Sequence, residues 1–117
     1  MSEQGFAAQL AEDLSQDDLR MVLRVFGDDV RRLTDALDAA ARQGDSVAFR
    51  RAAHGLAGAA GAVGAVPLEQ ACRAAMAGER TLETAMVSIA EQGEAVLREL
   101  GEFLAGIAVV GSVGSIP

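Results

Sequence analysis

The sequence predicts an all-α fold: an antiparallel up-down-up-down four-helix bundle with a short extra N-terminal helix. Apolar residues recur at intervals of three and four along most of the chain, which is the period of one face of an α-helix. Half of the 117 residues are hydrophobic but only 3% are aromatic, so aliphatic side chains must build the core. The connections between periodic segments are short, and short connections place consecutive helices side by side in opposite directions.

The first two helices are predicted on either side of Ser15. Residues 6–14 form a short amphipathic segment, and Ser15 is typical of an N-cap because its hydroxyl can accept a hydrogen bond from a first-turn N–H. The long helix that follows is expected to end near Gly44, since glycine readily adopts the left-handed conformation that ends many helices. Its inward positions are Leu19, Val22, Leu23, Phe26, Val30, Leu33 and Leu37.

The third predicted helix contains the only histidine of the chain, His54. We expect Asp45 or Ser46 to cap this helix, which runs to about Val63 and stops at Gly64. At about 100° per residue, His54 points roughly 140° away from the centre of the apolar stripe, so its imidazole should face solvent. That stripe, expected to be buried, consists of Phe49, Ala52, Ala53, Leu56, Ala60 and Val63.

Two further helices complete the predicted bundle. Val66-Pro67 opens the fourth helix, because proline suits the first turn, and Gly78 closes it. The fifth helix starts near Thr81 and turns its apolar residues inward at Leu82, Met86, Ile89, Val96, Leu97, Leu100, Phe103 and Leu104. Residues 1–105 are therefore predicted to form the bundle. Residues 106–117, rich in Gly, Ser and Val without a helical period, are predicted to form a flexible tail.

Composition and charge narrow the range of functions. A formal net charge of −7 argues against nucleic-acid binding, which favours a basic surface. The single cysteine, Cys72, cannot form an intramolecular disulfide and is compatible with a reducing compartment. We find no apolar run of about 18 residues that could span a membrane, and residues 1–4 do not resemble the basic start of a signal peptide. The expected location is the cytoplasm, without a membrane partner.

The segment Ala53-His54-Gly55-Leu56-Ala57-Gly58, followed by small residues and Gly64-Ala65, resembles the phosphorylation-site motif of histidine-containing phosphotransfer (Hpt) domains. The family pattern is roughly Ala-His-x-Leu-Lys-Gly, then small residues, then an apolar residue with Gly-Ala or Gly-Leu. The similarity extends to about residue 104, through Phe26-Gly27-Asp28-Asp29, Leu33–Gly44, Leu68 and Cys72. The chain departs from the pattern at Ala57, where lysine is usual, and at Met76, where many members place a polar residue.

The resemblance implies a phosphorelay intermediate of a two-component signalling system. His54 would carry a phosphoryl group between receiver domains, one on a hybrid sensor histidine kinase and one on a response regulator. Such a protein is a phosphohistidine carrier and not an enzyme, and the sequence contains no Gly-rich nucleotide loop. It would need no cofactor of its own, because the partner receiver domain supplies Mg²⁺.

A phosphoacceptor histidine needs small neighbours and nearby positive charge. The residues expected to form the docking surface are Gly55, Gly58 and Gly61, although close helix packing would also explain these glycines. The candidates for neutralising the phosphate, in place of the missing lysine, are Arg50, Arg51 and Arg73. For the first two arginines, a solvated surface without a role is an equally good interpretation.

The sequence supports metal binding or hydrolysis by His54 less well than a phosphoacceptor role. A structural zinc site takes four matched ligands, whereas the chain offers one histidine and one cysteine 18 positions later. Hydrolysis through a Ser-His or Cys-His pair lacks an orienting carboxylate near the histidine in sequence. The main alternative is a helical adaptor that docks receiver or kinase domains without carrying phosphate.

Overall fold

The structure, a computed structural model, describes residues 5–78 and 80–114, with side chains through Ile107. All regular structure in these ranges is helical. The helices are α1 (Phe6–Asp13), α2 (Gln16–Gln43), α3 (Ser46–Val63), α4 (Val66–Ala77) and α5 (Leu82–Gly114). Helices α2 to α5 form the predicted antiparallel bundle, and α1 is the predicted short additional helix. Residues 1–4, considered above for a signal peptide, lie outside the described ranges.

Side-chain caps and left-handed glycines set the helix ends close to the predicted positions. The Ser15 hydroxyl accepts a hydrogen bond from the Asp18 N–H at 3.2 Å, and the Asp45 carboxylate accepts one from the Ala48 N–H at 3.0 Å. Of the two expected caps of α3, Asp45 is the N-cap and Ser46 is the first helical residue. The glycines after α2, α3 and α4 have positive φ, at Gly44 (67°), Gly64 (80°) and Gly78 (73°). An L side chain is disfavoured there, so these positions end the helices.

The four bundle helices pack in a ring, in which α2 and α4 each contact α3 and α5. The interior is aliphatic, as the composition predicted. Its largest completely buried side chains are Phe49, Leu23, Leu37, Leu56, Leu68, Ile89, Val30 and Cys72. The predicted stripe of α3 faces this core, except that Val63, the last residue of the helix, is only partly buried.

Helix α5 is longer than the sequence pattern indicated. It continues past residue 105 to Gly114, and Ile107 is buried. A helix that is already nucleated can extend through residues without an apolar period, because each added residue satisfies its backbone within the helix. The predicted boundary between a bundle of residues 1–105 and a tail of residues 106–117 thus falls inside a continuous helix. The flexibility of the tail remains a prediction, and residues 115–117 lie outside the described ranges.

Besides the apolar packing of α1 on the core, two contacts join this helix to residues far away in sequence. The Phe6 ring meets Phe26 edge to face, with centroids 5.5 Å apart and planes at 75°. The Ala7 N–H donates a hydrogen bond to Glu99 Oε2 at 3.2 Å, across 92 positions of the chain. A Cβ at Gly5 would overlap the Glu99 carboxylate, so that side chain would have to shift if Gly5 were replaced.

Candidate functional site

His54 lies midway along α3 and is exposed, as the helical period predicted. The next residue towards the N-terminus, Ala53, is completely buried, because successive residues of a helix point about 100° apart. Within the described part of the chain, no hydrogen bond or ion pair ties the imidazole to another residue. The ring is therefore accessible to a partner and held only by its helix.

An open cleft of about 490 Å³ lies beside His54, between α3 and the C-terminal end of α4. Its lining residues are Ser46, Val47, Phe49, Arg50, Arg51, His54, Ala75, Met76, Gly78 and Leu82. Among the lining residues that the structure describes, none is a carboxylate, and the permanent charges are the guanidinium groups of Arg50 and Arg51. A negatively charged group that approaches the imidazole through this cleft would meet positive charge.

Arg50 and Arg51 both lie one turn before His54, at spacings of four and three residues. Residues at these spacings are neighbours on a helix surface, so both guanidinium groups can reach the space around the imidazole. Both arginines are exposed, and no ion pair within the described ranges engages them. Helix α3 itself contains no Asp or Glu, in a chain whose net charge is −7.

Arg73 differs from these two arginines because its charge is already paired. Its Nε and Nη2 atoms donate to Glu69 Oε2 at 3.1 and 2.8 Å, one turn earlier on α4. The Arg73 side chain is 64% exposed and the Glu69 side chain 24% exposed. Arg73 can neutralise another anion only by leaving or sharing this carboxylate.

The three glycines of the expected docking surface have different surroundings. A Cβ at Gly58 would have no neighbour within 4 Å, so the surface is open there. A Cβ at Gly55 would meet Leu33 of α2 at 3.6 Å, an ordinary contact. A Cβ at Gly61 would lie 3.0 Å from Glu69 Oε2, which is tight. The surface is therefore open at Gly58, whereas at Gly61 the flexible carboxylate of Glu69 would have to shift slightly to admit a side chain.

The two positions at which the chain departs from the Hpt pattern are both apolar and both packed. Ala57 is only 3% exposed. It lies one turn before Gly61, so the two residues are neighbours on the surface of α3. Met76 is half-buried and lines the cleft next to His54, where many Hpt domains have a polar residue. Neither position supplies a hydrogen bond or a charge to His54.

The nucleophilic groups of the site and of the core beneath it differ in accessibility. Among the described residues, no group of three or more His, Cys, Asp or Glu side chains could hold a metal ion. Burial raises the pKa of the Cys72 thiol to about 12, so this sulfur stays protonated at neutral pH. An exposed imidazole with small and cationic neighbours can act as a nucleophile towards an incoming phosphoryl group.

A family model described as "Hpt domain" matches residues 21–106, which is more than half of the chain and includes His54. No curated protein and no solved structure matches the sequence. None of the helices in residues 5–78 and 80–114 combines the length and the apolar character that a membrane span requires.

Proposed function

The chain belongs to the Hpt domain family, whose members are phosphocarrier modules of two-component signalling, and we propose that His54 is its phosphoacceptor. In the proposed step, the lone pair of an imidazole nitrogen attacks the phosphorus of an aspartyl phosphate on a receiver domain. An N–P bond forms, the P–O bond to the aspartate breaks, and its electron pair stays on the carboxylate. The reverse reaction with a second receiver domain returns the phosphoryl group to an aspartate.

The observation that carries this proposal is the exposure of His54 within the segment that the family model matches. It is the only histidine of the chain, so no other imidazole can take the role. The open surface at Gly58, one turn further along α3, leaves room for a partner to approach the ring.

Charge near the imidazole supports the same role. Phosphoryl transfer depends mainly on positioning and on neutralising the charge of the phosphoryl oxygens. Arg50 and Arg51 can contribute positive charge from α3, and no carboxylate of α3 opposes them. We propose that the partner receiver domain brings the Mg²⁺ and that this chain needs no cofactor of its own. The partners would be a hybrid sensor kinase and a response regulator.

The proposal is tested by mixing the protein with a receiver domain that carries a labelled aspartyl phosphate. We expect label to move to the chain as a base-stable, acid-labile phosphate in the wild type and not in His54→Gln. An equal transfer of label to His54→Gln would contradict the assignment.

A second candidate, a docking adaptor without phosphate, is favoured by the apolar residues at Ala57 and Met76. It predicts that the wild-type chain binds a phosphorylated receiver domain but acquires no label. Measuring binding by isothermal titration calorimetry alongside the labelling assay separates the adaptor from the phosphocarrier.

A further inference from the structure

We propose that Glu69 limits the lifetime of the phosphohistidine, because its carboxylate competes with the phosphoryl group for Arg73. This inference rests on the proposed function of His54. It concerns an ion pair on α4, the helix next to the one that carries the imidazole, and it gives Glu69 a role in positioning Arg73.

The register of α3 and α4 places Arg73 between Glu69 and the histidine cleft. The two helices are antiparallel, so moving towards the C-terminus of α4 means moving back along α3. Glu69 lies beside Gly61, because its Oε2 would be 3.0 Å from a Cβ there. Met76, nearly two turns further along α4, lines the cleft beside His54. Arg73 lies one turn from each of them, level with the turn of α3 that follows the histidine.

In the unphosphorylated protein, Arg73 is engaged by Glu69. The Arg73 Nε and Nη2 atoms both donate to Glu69 Oε2, at 3.1 and 2.8 Å. Glu69 is the less exposed of the two, so its charge is less screened by solvent than that of a free surface carboxylate. Arg73 is therefore already bound to a carboxylate before any phosphoryl group arrives.

A phosphoryl group on His54 would add about two negative charges and several strong acceptor oxygens. The long, exposed side chain of Arg73 can turn towards these oxygens. Glu69 opposes that movement in two ways: it holds the guanidinium, and it would be left as an unpaired carboxylate near the new anion. Removing only the charge of Glu69 should therefore stabilise the phosphorylated state through Arg73.

The test is a double-mutant cycle with the variants Glu69→Gln, Arg73→Ala and the double variant. The measured quantities are the rate of label transfer from a phosphorylated receiver domain and the half-life of the phosphohistidine. Asp38→Asn is the matched control, because Asp38 pairs with Arg42 at 2.9 Å with the same four-residue spacing on α2. Asp38→Asn removes one negative charge, as Glu69→Gln does. Thermal unfolding followed by circular dichroism verifies that every variant is folded.

We expect Glu69→Gln to lengthen the half-life about three- to tenfold at low salt, and less at high salt, where charges are screened. The lengthening should vanish in the Arg73→Ala background, and Asp38→Asn should leave the half-life unchanged. A shorter or unchanged half-life in Glu69→Gln, or an equal effect with and without Arg73, would overturn the inference. Absence of label from the wild type would instead refute the proposed function, so the two failures are distinguishable.

Discussion

Gly58 is the residue of α3 over which we expect a partner to pass most closely. A Cβ at Gly58 would have no neighbour within 4 Å, and the backbone there does not have the positive φ that disfavours L-residues. Gly58→Gln should therefore raise the free energy of unfolding by about 0.5 kcal/mol, because glycine is a poor helix former. Phosphoryl transfer should fall at least about tenfold, since the new side chain occupies the path of the partner.

Gly101 provides the matched control for that substitution. It is also an exposed helical glycine at which a Cβ would have no neighbour within 4 Å, but it lies on α5, across the bundle from α3. Gly101→Gln should give the same gain in stability, measured by urea unfolding, with unchanged transfer. Equal transfer rates in the two variants would mean that the docking face is not centred on Gly58.

Arg50 is the stronger of the two candidates for neutralising the phosphoryl group from α3. It lies about 40° from His54 around the helix, against roughly 60° for Arg51. Arg50→Ala should slow transfer about three- to tenfold at low salt, with less effect at high salt, because the interaction is exposed and screened. Stability should change by less than about 1 kcal/mol. Stopped-flow or quenched transfer assays measure the rate, with Arg98→Ala on α5 as the control of equal charge change.

An equal slowing in Arg50→Ala and Arg98→Ala would attribute the effect to net charge alone. No slowing in either variant would mean that the partner's own groups neutralise the phosphoryl oxygens.

The buried thiol of Cys72 makes stability depend on alkaline pH. Its pKa is raised to about 12 in the folded chain by burial, whereas an unfolded thiol titrates near about 8.5. The sequence has no lysine and no tyrosine, so Cys72 is the only side chain that titrates between about pH 9 and 12. Because the raised pKa belongs to the folded state, stability is complete below about pH 8.5 and falls as pH rises. The slope should approach about 1.4 kcal/mol per pH unit.

Urea unfolding followed by circular dichroism at about pH 8, 9.5 and 10.5 measures the free energy of unfolding and thus its dependence on pH. Cys72→Ala should be less stable at pH 8, because it leaves a small cavity, but nearly independent of pH over that range. A wild-type stability that stays constant to pH 10.5 would show that the thiolate is tolerated in the core.

The exposure of a residue was predictable from sequence where the period of its own helix determines it, and not where a neighbouring helix does. The exposure of His54 and the burial of Leu56 follow from the period of α3 alone. The period does not reveal the neighbouring helices, so it did not predict that Ala57 is buried. It also did not reveal Glu69 above Gly61, because no local pattern links residues on two adjacent helices.

At the scale of helices, α1 depends on a carboxylate from the far end of the chain. The Ala7 N–H is one of the first-turn donors of α1 that no residue of the helix can satisfy, and Glu99 accepts from it. Glu99→Ala should cost about 0.5–2 kcal/mol, as loss of a helix cap does, and should raise hydrogen exchange in residues 6–13. Glu99→Gln keeps an acceptor oxygen and should lose less.

Unchanged exchange in α1 after Glu99→Ala would mean that the apolar packing of α1, including the Phe6–Phe26 contact, holds this helix without the hydrogen bond. Glu99→Ala and Glu99→Gln both leave the Phe6–Phe26 contact in place, so they measure the effect of the hydrogen bond by itself.

Helix boundaries were predictable wherever a capping residue marks them locally. Ser15, Asp45 and the three left-handed glycines identified the ends of α2, α3 and α4 from sequence. The continuation of α5 to Gly114 was not predicted, because its last residues have no apolar period. The anchoring of α1 by Glu99 was likewise invisible, since the partners are 92 residues apart.

For the molecule as a whole, the bundle presents one helix without acidic residues on an otherwise acidic chain. The net charge is −7, yet α3 carries only Arg50, Arg51 and the imidazole as ionisable groups. The core beneath α3 is closely packed, so the histidine is held on a rigid support. This combination makes α3 the helix of the bundle that an anionic group can approach without meeting a carboxylate of the same helix.

Whether His54 carries the phosphoryl group can be measured by nuclear magnetic resonance of protein labelled with ¹⁵N in histidine. Because the chain has one histidine, the imidazole gives a single set of ring nitrogen signals. After incubation with a phosphorylated receiver domain, we expect one ring nitrogen to shift and to couple to ³¹P. Ring signals that stay unchanged while the receiver domain loses its phosphoryl group to the chain would contradict the account.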